Sequence, residues 1–350
     1  MFDLIVVGAG PAGTSAAITA ARFGAKVLLL ERGKFPRHKV CGEFVSAESL
    51  SLLRDLLIDS YHSLLDDSLR ISRGRLFLDG RVLPAPIHPP AASIARFDLD
   101  AALVESGLAS GVEVRFQATV RAICGTGPFQ VSSTDGEFEA VAVVNASGRW
   151  SNLTAVPVAS VEKWLGIKAH FGEARPADSV DLYFFDGGYC GVQPVNLRVD
   201  DSHGRVNAAA MVRADVASSL PEIFALHPAL AERSREWRPL SEPVTTSPLI
   251  FRKPQPVRNG ALNAGDAAGF VDPFVGDGIS LALRSGALAA ECLRSGSSYE
   301  ALYGQRFGPI FRASSQLRRL LRLPRQVRKP FVALLAHTPG VTEFLVARTR

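Results

Sequence analysis

The chain has 350 residues, which at roughly 100 to 200 residues per domain allows one large domain or two of medium size. Apolar residues make up 47% of it and charged residues 21%, a globular balance that excludes a disordered scaffold. The formal charge is +5, yet residues 312–350 carry eight Arg and one Lys against a single Glu, a local +8 that leaves the rest at −3. Positive charge confined to the tail excludes a nucleic-acid-binding body, which would line a groove or recognition helix with it.

No apolar run reaches the ~18 residues of a spanning helix. Met1-Phe2-Asp3 leads straight into an apolar strand with no basic region or cleavage site before it, so a cytoplasmic location is expected. The cysteines, Cys41, Cys124, Cys190 and Cys292, are scattered without CxxC spacing, so neither structural zinc nor a disulfide framework is expected, and no metal site.

In chain order, residues 4–7 read as an all-apolar strand of a parallel sheet, 14–23 as an Ala-rich helix ended by Gly24, and 26–30 as a second strand with Glu31 at its tip. Between strand and helix, Gly8-Ala9-Gly10-Pro11-Ala12-Gly13 fits GxGxxG. Gly8 permits the tight turn, Gly10 lets a pyrophosphate approach the backbone, and Gly13 lets helix and strand pack closely. The helix N-terminus offers free N–H groups and partial positive charge to the phosphates. Glu31 stands 18 residues past Gly13, near the ~20 expected for the acid that binds a ribose hydroxyl.

Residues 33–48 read as a long polar loop, 47–57 as helical, 75–83 and 112–116 as strands, 97–109 as a helix and 141–146 as a buried strand. From about 155 to 250 the chain is strand-rich, with turn signals at Asp186-Gly187-Gly188 and at 200–204, as in an antiparallel sheet. A buried strand returns near 259–265. The expected architecture is α/β: a discontinuous dinucleotide-binding domain (1–80, 96–154 and 255–296), an inserted β-rich substrate domain (81–95 and 155–254) and a basic helical segment (297–350).

Asn263-Ala264-Gly265-Asp266-Ala267-Ala268-Gly269 followed by Asp272-Pro273-Phe274-Val275-Gly276-Asp277-Gly278-Ile279 resembles the FAD-dependent oxidoreductases of the geranylgeranyl reductase, aromatic hydroxylase and flavin halogenase superfamily. The resemblance covers most of the chain up to about Gly296 and implies a Rossmann-type FAD domain in a two-domain hydroxylase-like fold. It implies non-covalent FAD, with Asp266 on the ribityl chain and the N–H groups of Gly276 to Ile279 at the flavin N1/C2 carbonyl, where the helix dipole stabilises the charge that reduction deposits. By itself Asp266 also reads as a helix N-cap. Arg96 looks like the family's arginine near the cofactor, and Pro11, Ala12, Glu31, Arg32, Cys41, Gly265, Pro273 and Asp277 join the implied FAD contacts. Ser147 replaces the Asp common in relatives.

The run Phe35 to Ser46, with Cys41-Gly42-Glu43, looks like the loop that passes the isoalloxazine in prenyl reductases. Cys41 and Glu43 read either as residues bordering the flavin or as a small buried hydrophobe and a solvated charge. Tyr189 and Gln193, within a segment (183–194) that resembles the family's substrate ceiling, read as pocket-lining or as core. The Trp-x-Trp-x-Ile-Pro run of flavin halogenases is missing, which demotes halogenation. The seven histidines form no catalytic pattern, His38 and His170 included.

In the tail, Leu317, Leu320 and Leu321 share one helical face with Arg318, Arg319, Arg322 and Arg325 around it, as in a helix docked on the body or a weak membrane-surface patch. The expected protein is an FAD oxidoreductase with NAD(P)H as transient reductant and a small apolar substrate. Hydroxylation of an aromatic, polyketide or isoprenoid compound leads, and reduction of a prenyl-type double bond is the alternative. A non-catalytic electron-transfer protein would lack the aromatic ceiling.

Overall fold

A computed structural model describes residues 1–149, 153, 163–195 and 204–336. Most of the expected turn at 200–204, the end of the Asn145 to Ser151 run, the 154/155 domain boundary and the last fourteen residues of the tail lie outside the described residues.

Residues 4–7 and 27–30 are apolar on both faces because they run in the middle of a covered parallel sheet. Phe2–Val7 pairs in parallel with Val27–Glu31 on one side and Gly136–Asn145 on the other. Among the described residues this sheet has eight strands, including Glu113–Phe116, Ala261–Asn263 and an antiparallel hairpin, Val120–Cys124 with Phe129–Ser133. The first helix (Pro11–Arg22) and the cofactor helix (Gly278–Ser295) pack on it backbone against backbone. A Cβ on Gly13 would fall 1.8 Å from the Gly8 carbonyl oxygen, and one on Gly286 2.1 Å from that of Ala12. Only hydrogen fits there.

The second sheet has nine strands among the described residues and is mostly antiparallel. Its centre pairs Trp164–Glu173 with Gly204–Arg213, then Gly188–Val195 and Val180–Phe185. Two features depart from expectation. The strand expected over 75–83 is a hairpin, Leu69–Leu78 and Arg81–Ser93, turning at Asp79 and Gly80, both at positive φ (53° and 82°). Asp-Gly is the dipeptide that a two-residue primed turn favours. Because Leu69–Leu78 also pairs in parallel with Val180–Phe185, and Phe44–Val45 pairs with Arg81–Ser93, these strands belong to the second sheet although they precede residue 81.

The tail forms a long helix (Tyr299–Leu321) and a further helix (Arg325–Ala336), and its arginines engage the body. Arg318 lies 3.8 Å from the Phe251 ring centroid and 3.9 Å from Asp272, and Arg322 lies over Trp164. Among the described residues no helix is long and apolar enough to cross a membrane.

Gly286→Val should force the two helices apart and cost about 2–3 kcal/mol, lowering the thermal midpoint by several degrees. An unchanged melting curve would contradict the backbone contact.

Candidate functional site

A cavity of about 630 Å³ is lined from both sheets and from the tail. At one end the glycine turn shapes it. Gly8 is at φ 98°, and a Cβ there would meet the Ala146 carbonyl oxygen at 2.5 Å. Gly10 differs: its added Cβ would meet only the Arg96 guanidinium, at 3.9 Å, so what its missing side chain leaves is open space. The helix ladder begins with Thr14 N–H donating to the Gly10 carbonyl, which leaves the N–H groups of Ala12 and Gly13 ahead of it.

Glu31 is buried at the strand tip, accepting from the N–H groups of Ala9 (2.8 Å) and Gly33 (2.7 Å) and from Arg37 (2.6 and 3.0 Å). Burial works to raise its carboxyl, but Arg37 and the two N–H groups hold it below the usual carboxylate range. Arg96 forks onto buried Asp100 (2.6 and 2.7 Å). Lys39, desolvated and close to Arg37, Arg32 and Arg96, is pushed down to about 8. On the opposite side Gly265, Asp266, Pro273, Gly276, Gly278 and Ile279 line the cavity, and an added Cβ on Gly278 would meet nothing within 4 Å. Arg149 stands 3.5 Å from Asp266. Of the residues implicated by sequence, only Gly13, packed under Gly8, and Asp277 do not line it. Asp277 accepts instead from Ser46 (2.7 Å), tying the 44–49 segment to the start of the cofactor helix. Ser147 donates to Asn145 (2.6 Å), whose amide reaches Asn263 across adjoining strands.

Cys41 and Glu43 both line the cavity. Glu43 is fully buried, not a solvated charge, and sits at φ 63°. Its carboxylate pairs with Lys168, with His170 Nε2 (2.7 Å) and with the Arg96 N–H (3.0 Å). Burial works to raise it, but the His170 hydrogen bond and the Lys168 and His170 charges prevail, and it lies below the usual range. Its N–H donates to the Cys41 sulfur (3.3 Å), and Asn207 donates to the Cys41 carbonyl (2.9 Å). Sequence reasoning missed Lys168 and His170, which lie more than a hundred residues from Glu43. Their one signal is spacing, since residues i and i+2 of a strand share a face.

The ceiling alternates as a strand must. Leu182, Phe184, Tyr189, Gly191 and Gln193 face the cavity, whereas Tyr183 and Cys190 turn to the core behind, where Tyr183 stacks on Phe77 (4.4 Å). Burial pushes the Cys190 thiol up to about 12. Gln193 donates to Ser93 (2.8 Å). Tyr189 packs on Phe184 and Phe274; its hydroxyl is buried without a hydrogen-bond partner, and burial raises it well above the usual phenol range. Among the described residues no cluster of His, Cys, Asp or Glu could hold a metal.

A family model described as FAD dependent oxidoreductase matches residues 3–37. Menaquinone reductase of Mycobacterium tuberculosis is 30% identical, over 92% of this chain and 85% of its own. The chain belongs to the FAD-dependent oxidoreductases. Within them it is also similar to digeranylgeranylglycerophospholipid reductase 2 of Methanopyrus kandleri, 28% identical over 83% of this chain and 76% of that one. In fold, a flavin-dependent brominase superposes with TM-score 0.80 at 18% identity, covering 99% of this chain and 93% of that one. A geranylgeranyl bacteriochlorophyll reductase-like protein from Thermoplasma acidophilum does so with 0.75 at 20%, covering 99% and 95%. The fold and superfamily expected from the sequence are those found.

The donor set of this FAD-dependent oxidoreductase fits its cofactor. Two helix starts, at Pro11 and Gly278, open beside Gly10 and Gly278, where an added side chain would crowd nothing, cations stand at one, and the carboxylates of Glu31 and Asp266 flank them. Gly10→Val, at a φ of −76° with room for the side chain, should fold and melt as the FAD-free wild type does yet purify colourless, because the branched group takes the space of the pyrophosphate. A yellow Gly10→Val protein that releases FAD on denaturation would overturn this placement.

Glu43→Gln should cost about 3 kcal/mol at neutral pH by leaving the buried Lys168 ammonium uncompensated. Because the folded carboxyl lies below its unfolded value, the wild-type contribution is complete above the ordinary carboxylate range and lost as pH falls through the folded value. The two urea midpoints should therefore converge in acid; a gap independent of pH excludes the ion pair as its cause.

Proposed function

We propose that the protein reduces a carbon–carbon double bond of a polyprenyl-type chain, with FAD as its redox group and NAD(P)H as a transient reductant. The observation that carries this reading is one continuous cavity running from the FAD glycines past Cys41 to a wall of leucines. The compounds named for the menaquinone and digeranylgeranylglycerophospholipid reductases both carry polyprenyl chains, and these relatives span most of this chain. They shift the balance from hydroxylation, which leads on sequence alone, to alkene reduction.

Bound FAD, once reduced, supplies a hydride equivalent. The protein's own part is to hold the chain, exclude water and deliver the proton that completes the addition. Cys41 takes the proton-donor role, its sulfur oriented by the Glu43 N–H and its carbonyl held by Asn207. Glu43, ionised and engaged on every side, anchors that loop instead of donating. Tyr189 keeps its proton and presents a second hydroxyl to the chain; Gln193 is held by Ser93. We place the protein in the cytoplasm, where the exposed Arg319, Arg322, Arg325 and Lys329 beside exposed Leu323 and Val327 suit a weak contact with a lipid surface.

The deciding measurement is product mass from NAD(P)H and a panel of prenyl and phenolic compounds under heavy-oxygen air and without oxygen. A product heavier by two hydrogens, formed equally without oxygen, is expected; one labelled oxygen replaces this reading with a hydroxylase. Cys41→Ser should lower the reduction rate by roughly 10²-fold while the protein stays yellow.

A further inference from the structure

The tail is not only docked on the body; it closes the apolar end of the cavity. Leu317, Leu320 and Leu321 lie at i, i+3 and i+4 on one face of the Tyr299–Leu321 helix and line the same cavity as Gly10 and Cys41. Val332, 2% exposed, meets them from the last helix and packs with Leu78 and Leu83 of the hairpin, with Leu76, Phe184 and Leu321 around them.

What holds this end shut is a charge clasp. Arg328, buried in the last helix, forks onto Asp79 at the hairpin turn (2.7 and 2.8 Å) and donates to the Leu321 carbonyl at the end of the tail helix. Arg325 stands 3.6 Å from the same carboxylate. One guanidinium thus fixes the hairpin tip, the long helix and the last helix against one another. The wall inside the clasp is Leu76, Leu78, Leu83, Leu321 and Val332 with the Phe184 ring, and Arg328, which also borders the cavity, turns its donors to Asp79 and the Leu321 carbonyl, so an apolar chain entering from the Cys41 side must stop where Leu321 and Val332 meet Leu83.

We propose that this closure is a length gauge: the contact of Leu321 and Val332 with the Leu78/Leu83 hairpin, locked by Arg328 on Asp79, sets how long an isoprenoid chain the cavity accepts. The inference deepens the reductase reading by naming what limits its substrate. A chain one isoprene unit too long must displace packed side chains, and a bulkier residue at the wall must shorten the accepted chain.

The test uses the FAD-loaded full chain and equilibrium dialysis of radiolabelled geraniol, farnesol and geranylgeraniol, with turnover of each measured alongside. Val332→Trp and Leu321→Trp should weaken geranylgeraniol at least 10-fold relative to geraniol. Val332→Ala and Leu83→Ala, which remove wall without adding bulk, should move the preference toward longer chains. Retained flavin absorbance and a single cooperative melting transition above the assay temperature certify each variant as folded, and the Ala pair answers if the Trp pair fails to fold. Ratios of geraniol to geranylgeraniol affinity within twofold of wild type in every folded variant, or a wild type that binds none of the three, overturn the gauge. Graded binding without reduction keeps the gauge and sinks the reductase reading; reduction with an unmoved length profile does the reverse.

Discussion

One buried carboxylate joins the two halves of this protein. Glu43 leaves the first domain on a loop whose φ is positive, and it can hold that conformation because the chain beyond is pinned on every side. Its carbonyl accepts from Ile94, its side chain takes the Arg96 N–H, and Lys168 and His170 reach it from the second sheet. Taking a carboxylate and an ammonium out of water costs several kcal/mol per ion, so such a pair persists only where its geometry is complete. Completing it fixes three things together: the path of the Cys41 loop, the start of the Arg96–Ala109 helix, and the distance between the sheets that enclose the cavity.

That dependence explains why a small loop can carry chemistry. The Cys41 sulfur and carbonyl are each engaged by a different domain, the sulfur by the Glu43 N–H and the carbonyl by Asn207 of the Gly204–Arg213 strand. Loops are ordinarily the mobile parts of a fold. This one is immobilised at both ends by buried polar partners, so its thiol faces the cavity from a fixed place.

The cofactor end was legible in the sequence because its constraints are local. Gly8 and Gly276 sit at positive φ, Gly13 packs on the Gly8 carbonyl, and Gly10 and Gly278 leave open space at two helix starts, demands that a pattern of residue types records directly. The Glu43 cluster was not legible. Lys168 and His170 are brought to Glu43 by the fold across more than a hundred residues, and their i, i+2 spacing says only that they share a strand face, not that the face is buried on a carboxylate. The hairpin at Asp79-Gly80 was legible in principle, since Asp-Gly is the strongest short turn signal, and the apolar run across it concealed the break. The tail showed its leucine face correctly, but an amphipathic stripe reports only that a face is covered. That the stripe borders a cavity is a property of the hairpin opposite, which pattern along one helix cannot contain.

The polarity of the cavity follows from the same division. At its glycine end, where Arg32, Arg37 and Lys39 stand around Glu31 and Arg96 is held by Asp100, Lys39 is pushed down to about 8 by burial first and then by cationic repulsion. An anionic pyrophosphate relieves it, so cofactor binding there is favoured by charge as well as by free N–H groups. The far end, beyond Cys41, offers Leu76, Leu78, Leu83, Leu317 and Leu320. Arg328 beside them is already engaged by Asp79 and the Leu321 carbonyl, so a charged or strongly hydrated group entering there would shed its water for little in return, a penalty that an isoprenoid chain does not incur. The two ends therefore sort a dinucleotide and an apolar chain to opposite sides of Cys41, and that sorting is decided before any residue contacts a reacting atom.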